Sequence, residues 1–164
     1  MIETQRLRLR RLRPSDLDAM MAVYGDPVAM RYVDDGLPIV EAACRDWVDV
    51  TLRNYETRGY GMFAVEHLES GEVIGFCGLV HPGGQTLPEL KYAYRQSAWG
   101  SGYATEAAQA LLEYGRRVHR MQRVIATTAP ENSASHRVLV KAGMRDTGVH
   151  TEEDGERIQV FEWR

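Results

Sequence analysis

A chain of 164 residues, with 44% hydrophobic and 26% charged side chains, is long enough to bury roughly 70% of its extended-chain surface as one domain. Its formal net charge of −3 provides no general footprint for nucleic acid. No apolar run reaches membrane-spanning length, and the N-terminus carries no hydrophobic secretion segment, so a cytoplasmic protein without nucleic-acid or membrane partners is expected.

Residues 5–13 open the fold as a strand in which Leu7 and Leu9 alternate with Arg6, Arg8 and Arg10. That alternation predicts a half-buried strand with a basic outer face rather than a polyanion site. Pro14-Ser15-Asp16 starts a helix that runs to Tyr24 and stops near Gly25-Asp26-Pro27. A second helix, from near Pro38 to about Tyr55, carries Ala42, Ala43, Trp47, Val50 and Leu52. Strands follow at about 61–67 and 72–80, joined by the turn Glu69-Ser70-Gly71-Glu72, and a third at 88–95 after the loop Pro82-Gly83-Gly84. A helix over 103–118 has the basic end Arg116, Arg117, Arg120, which complements its dipole. A β-branched strand at 123–128 precedes a helix capped by Asn132 and ended by Gly143. Two last strands, at about 145–151 and 157–163, flank the hairpin signal Asp154-Gly155. The order β-αα-βββ-α-β-α-ββ describes one α+β domain over residues 1–164, in which helix 103–118 is a right-handed crossover between neighbouring strands.

Cys44 and Cys77 lie far apart without metal-type spacing, which fits buried, idle thiols in a reducing compartment. The histidines at 67, 81, 119, 136 and 150 form neither a zinc motif nor a local triad, so no metal is expected.

The most informative stretch is Trp99-Gly-Ser-Gly-Tyr-Ala-Thr-Glu-Ala107. Gly100 and Gly102 allow a tight turn and a close backbone approach at the mouth of an amphipathic helix. The first turn of a helix leaves amide hydrogens unpaired and adds about half a positive charge, so this turn suits a diphosphate; an unliganded glycine-rich helix start is the alternative. A nucleotide-binding P-loop is excluded because Tyr103, not Lys, follows Gly102. A dinucleotide fingerprint is excluded by Thr105 and by Gln122-Arg123 where an acidic ribose ligand belongs.

With this element order, the glycine turn resembles the GNAT superfamily of N-acetyltransferases, and within it the Rim-type branch that acetylates ribosomal-protein N-terminal alanine. The likeness is carried by Arg6-Leu-Arg-Leu-Arg10 with Asp16, by Trp99 to Ala107, and by Glu131-Asn-Ser-Ala-Ser135 running into Val138-Leu139 and Lys141-Ala-Gly-Met144. It implies a GNAT fold, a mixed sheet of about seven strands flanked by about four helices. The family pattern Gln/Arg-x-x-Gly-x-Gly/Ala falls on residues 99–104, with Trp99 at its first position.

The resemblance implies acetyl-CoA as donor. Its diphosphate would be held by the amides of Gly100, Ser101, Gly102, Tyr103, Ala104 and Thr105. Its pantetheine arm would pair with the backbone of Tyr92, Ala93 and Tyr94 as an added strand. Asn132 would bond that arm from the opposite wall or cap its helix, one side chain doing one of the two. The aromatic side chains of Tyr92, Tyr94, Trp99 and Tyr103 would shape the groove.

The partner is an amine acceptor, and the chain a monomer or homodimer. An α-amine, with a reference pKa of about 7.7–8.0, needs roughly 3–4 kcal/mol less deprotonation than a lysine near 10.4. A protein or peptide N-terminus is therefore the expected acceptor for direct transfer in a ternary complex. A small-molecule amine, or a non-catalytic CoA sensor, are the alternatives. Residues 26–40, with Asp34-Asp35, and 81–88 would set the acceptor.

Glu89 is the candidate base or ammonium anchor, or otherwise an exposed strand residue. A backbone amide near Tyr94 would meet the thioester oxygen. Relatives place a tyrosine for the leaving thiolate where this chain has Leu139, so Ser135 is the candidate proton or hydrogen-bond donor, or otherwise a first-turn serine. Glu106 sits in the first turn of the phosphate-binding helix and is assigned to the helix start or loop, and His81 and His136 to solvent-facing positions.

Overall fold

The computed structural model describes residues 1–164. Its strands are β1 (Ile2–Glu3), β2 (Leu7–Arg11), β3 (Met62–His67), β4 (Val73–Val80), β5 (Glu89–Tyr94), β6 (Val124–Thr128), β7 (Arg145–Thr151) and β8 (Arg157–Trp163). Its helices are α1 (Leu17–Tyr24), α2 (Glu41–Arg58), α3 (Tyr103–His119) and α4 (Ser133–Lys141). All strands join one mixed sheet in the order β1-β2-β3-β4-β5-β6-β8-β7. The strand beyond the expected seven is β1, where Ile2 pairs with Leu9 and Glu3 with Arg8. Two residues are too few for any alternation to show in sequence. No helix is long and apolar enough to cross a membrane.

Alternation along β2 buries Leu7 and Leu9 completely. The opposite face is basic in composition yet neutralised in place. Arg8 reaches Glu3 at 2.8 Å, and Arg10 takes Asp16 in a two-pronged grip at 2.9 and 2.8 Å and Glu66 at 2.9 Å. Burial works against a charged Asp16, yet the bonds from Arg10 and from the Arg13 amide hold its carboxyl below the usual range.

The helices divide between the two faces of the sheet. The ring of Tyr24 in α1 lies 5.5 Å from that of Phe76, while Gly115 in α3 adjoins Leu79. Phe76 and Leu79 point to opposite faces of β4 because side chains alternate along a strand. Helix α2 buries Cys44, Val48, Thr51 and Tyr55, a stripe at spacings of four and three, while Ala42, Ala43 and Val50 stay exposed. It begins at Glu41, later than Pro38, because the Ile39 N–H is tied to the Tyr24 carbonyl at 2.7 Å and keeps the chain extended there.

One register difference creates the cleft. Strand β5 pairs with β4 along its whole length, from Val80↔Glu89 to Gly75↔Tyr94. Against its parallel neighbour β6 it pairs only at Glu89↔Ile125. On its other edge β6 is laddered to β8 along its whole length, from Val124 to Thr128. The two strands part, and α3, which connects them, opens at the wide end of the gap.

Candidate active site

The phase of the β4–β5 ladder decides which backbone groups face the gap. The Arg95 N–H donates to the Ile74 carbonyl at 3.1 Å, so residues alternating with Arg95 turn their polar groups toward β4. Ala93 is one of them, and its N–H and C=O are spent in the sheet, which corrects its expected role on a pantetheine arm. The groups of Tyr92 and Tyr94 face the gap instead. The Tyr94 carbonyl already accepts from the indole N–H of Trp99 at 2.9 Å, which leaves Tyr94 its amide.

Gly100 and Gly102 adopt φ values of 75° and 80°, a left-handed backbone suited to glycine. The first bond of α3 runs from the Glu106 N–H to the Gly102 carbonyl at 3.0 Å. The N–H groups of residues 100–105 therefore donate to no acceptor within the protein. Nothing lies within 4 Å of where a Cβ on Gly100 would stand. Free donors, a positive helix end and open space above the glycine fit an oxygen-rich diphosphate.

The loop is held from below by residues remote in sequence. Arg6 donates through Nη1 to the Ser101 carbonyl at 2.8 Å, and its guanidinium lies 4.5 Å from the centre of the Tyr103 ring. Glu106 Oε1 accepts from Thr4 Oγ1 at 2.6 Å and the Arg6 amide at 2.9 Å, and Oε2 accepts from Arg6 Nε at 2.7 Å. Glu106 staples the first strands to the mouth of α3.

Glu89 is 4% exposed, so it is not an exposed strand residue. Its Oε1 accepts from Thr127 Oγ1 at 2.7 Å and its Oε2 from Gln85 Nε2 at 3.2 Å. Lys91, on the same face of β5, reaches Asp34 in the segment between α1 and α2 at 3.5 Å. Tyr92 and Tyr94 point to the α3 face.

Ser135 lies 2.6 Å, hydroxyl to hydroxyl, from Tyr92. Burial raises the Tyr92 phenol well above its ordinary value, so it keeps its proton. Asn132 Oδ1 accepts from the Ser135 amide at 3.2 Å and caps α4. Its amide nitrogen has no hydrogen-bond partner in the protein. Leu139 is wholly buried. Glu89 and Ser135 do not meet; they flank the gap from opposite faces of β5, each with its own hydrogen-bond partners.

Sequence reasoning missed Gln85, Thr127, the hydroxyl of Tyr92, and Arg6. His81 is half-buried between Tyr60 and Gln85 rather than solvent-facing. His136 bonds Thr128 Oγ1 at 2.8 Å and packs on Phe161. Both cysteines are buried, and burial pushes the Cys77 thiol up to about 12, which removes it as a nucleophile.

A cleft thus opens between parting parallel strands, with a glycine-opened helix at its wide end and a buried carboxylate at its narrow end. The family model for the acetyltransferase (GNAT) domain matches residues 6–145, and the chain belongs to that family as an N-acetyltransferase. It is 35% identical over 144 residues to the Bacillus subtilis (strain 168) protein YkkB, covering 86% of this chain and 83% of that one. To the N-acetyltransferase YnaD of the same organism it is 31% identical over 147 residues, covering 90% and 84%. The crystal structure of a GNAT-family acetyltransferase from Bacillus anthracis superposes with a TM-score of 0.83 at 28% identity, covering 99% and 96%. A RimL ribosomal L7/L12 alpha-N-protein acetyltransferase in complex with coenzyme A (TM-score 0.82, 18% identity, covering 98% and 94%) shares the fold. So does a spermidine N-acetyltransferase from Vibrio cholerae in complex with CoA and spermine (TM-score 0.77, 17% identity, covering 98% and 96%).

Proposed function

We propose that residues 1–164 act as a single unit that transfers the acetyl group of acetyl-CoA to a primary amine, and that the acceptor is the α-amine of a protein or peptide N-terminus, in the manner of the Rim-type enzymes. The observation that carries this reading is the row of free N–H groups at residues 100–105, opening α3 beside the β5–β6 gap. Acetyl-CoA supplies an acetyl thioester. Gly100, Ser101, Gly102, Tyr103, Ala104 and Thr105 hold its diphosphate, and Tyr92, Tyr94 and Asn132 bond the arm that leads toward the acyl end.

Glu89 receives the amine at the narrow end of the gap. Its two oxygens already accept from neutral donors, and the nearest lysine on its strand face is engaged by Asp34. No ion pair within the fold engages the carboxylate, which anchors an incoming ammonium group and relieves it of a proton. An α-amine needs only modest help of this kind, and a lysine roughly 3–4 kcal/mol more. On the other side, the Ser135 hydroxyl donates to the leaving sulfur, and Tyr92 orients it by donating to Ser135 in turn.

Calorimetry at low salt with acetyl-CoA, followed by thiol release with a panel of N-terminal peptides, polyamines, aminoglycosides and amino acids, tests the proposal. Heat of binding and turnover with N-terminal peptides are expected. Absence of heat overturns the cofactor assignment, and turnover confined to polyamines or aminoglycosides overturns the acceptor.

A further inference from the structure

The segment 81–88, between β4 and β5, is composed as an open loop, with Pro82, Gly83, Gly84 and Thr86. Its hydrogen bonding describes something tighter. His81 Nδ1 contacts the Gln85 carbonyl at 2.9 Å, and His81 Nε2 contacts the Tyr60 hydroxyl at 2.8 Å. The Gln85 N–H donates to the Pro82 carbonyl at 3.1 Å. Tyr60 is packed edge-on against His119, at 4.7 Å between ring centres. Gln85 is thereby fixed at both its backbone groups. Its one free side-chain amide divides between the Leu87 carbonyl at 3.0 Å and Glu89 Oε2 at 3.2 Å.

The second donor to Glu89 comes from the other wall. Thr127 belongs to β6, where it pairs with Val160 of β8, just past the last point at which β5 and β6 are bonded. Its hydroxyl spans the opening of the gap to Glu89 Oε1 at 2.7 Å. Each oxygen of a buried carboxylate thus receives one neutral donor, from two different chain segments. A carboxylate has about four lone-pair sites, so two stay open. An arginine in either place would have cancelled the charge; an amide and a hydroxyl aim the group and leave its charge intact.

We propose that Gln85 and Thr127 are positioning residues for the reaction, a two-sided clamp that aims the Glu89 carboxylate at the acceptor amine, with the His81–Tyr60 contact holding the Gln85 arm. This rests on the reading of Glu89 given above. On the strand face of Glu89, Lys91 is engaged by Asp34, and Glu162 lies one strand beyond Ile125, itself paired with Arg123; His81 is linked to Glu89 through Gln85.

The test is a mutant cycle in steady-state kinetics with the N-terminal peptide that is turned over best. Thr127→Val keeps shape and loses the donor, and Thr127→Ser keeps the donor. Gln85→Ala removes the amide, and Gln85→Glu replaces it by a repelling carboxyl of the same size. Loss of one hydrogen bond to a charged group corresponds to roughly a tenfold fall in kcat/KM for the acceptor. That fall is expected for Thr127→Val and Gln85→Ala, with Thr127→Ser within about threefold of the parent. Gln85→Glu is expected to fall further and to move the acid limb of the kcat/KM profile to higher pH. On a Glu89→Gln background, Thr127→Val and Gln85→Ala are expected to add almost nothing, because the group they aim is gone. Full additivity on that background overturns the clamp while leaving Glu89 its role. Parental activity in Glu89→Gln itself overturns the reading of Glu89 and the clamp together. Unfolding curves of Thr127→Val and Thr127→Ser, an isosteric pair and a conservative one, separate aim from stability.

Discussion

Removing Glu106 tests how the site is supported, because this carboxylate faces no ligand and yet ties together segments 100 residues apart. Glu106→Ala strips an acceptor from the Thr4 hydroxyl, the Arg6 amide and the Arg6 guanidinium. Hydrogen bonds to a charged group contribute about 1.5–3 kcal/mol each when shielded. The Arg6 side chain is 39% exposed, however, which brings its share down toward the 0–1 kcal/mol of a surface pair. A total of about 2–3 kcal/mol follows, or roughly 5–10 °C in Tm for a chain of this size. Glu106→Gln keeps one acceptor oxygen and is expected to lose about half as much. Because Arg6 also holds the Ser101 carbonyl, acetyl-CoA affinity should fall about tenfold, measured by calorimetry.

The pH dependence gives a further check. Burial opposes a charged Glu106, but Thr4 and Arg6 hold its carboxyl below the usual value. A depressed carboxyl stabilises the fold fully above its unfolded value, about 4.3, and loses that contribution as pH falls through the folded value. The stability gap between the parent and Glu106→Ala in urea unfolding should therefore narrow as pH falls below about 4.3 and on through the folded value. A variant within 1 °C of the parent, or a stability gap constant down to about pH 3, would refute this reasoning.

Ser135→Ala is expected to lower kcat by roughly 10–100-fold with the KM for acetyl-CoA nearly unchanged, since one donor to the developing charge is lost. Tyr92→Phe should lower it less, and the double variant no more than Ser135→Ala alone; a parental rate in Ser135→Ala would remove the serine from the mechanism. Asp16→Asn breaks a pair whose side chains are 6% and 12% exposed and should cost about 3 kcal/mol at neutral pH by urea unfolding. Since the Asp16 carboxyl is also depressed, that loss should shrink as pH falls through its folded value, and a pH-independent loss would mean that the charge is irrelevant.

Much of the architecture was legible because local pattern and burial agree. The alternation of Leu7 and Leu9 marks β2, and the small and apolar spacing of Ala104, Ala107, Ala108, Leu111 and Gly115 marks one face of α3, buried at all but Ala104. Gly100 and Gly102 announce the helix mouth, since a left-handed turn at that point suits glycine. Glu89 was legible only as a carboxylate in the right strand. Its burial and its two donors come from residues with no motif of their own, Gln85 in a glycine-rich loop and Thr127 in a β-branched strand. Asn132 read as a helix cap or a ligand contact, and its side-chain oxygen takes the cap.

What this chain's sequence determines alone is therefore its elements, their order and the family signature at the start of α3. These depend on residues within a turn or two of one another, where steric and hydrophobic preferences act directly. The folded structure decided that Ala93 points its polar groups into the sheet, that Glu106 clasps Arg6, and that Tyr92 meets Ser135. Each of those depends on strand register and on the parting of β5 from β6, and register is a cooperative property of the whole sheet that no short stretch of chain encodes.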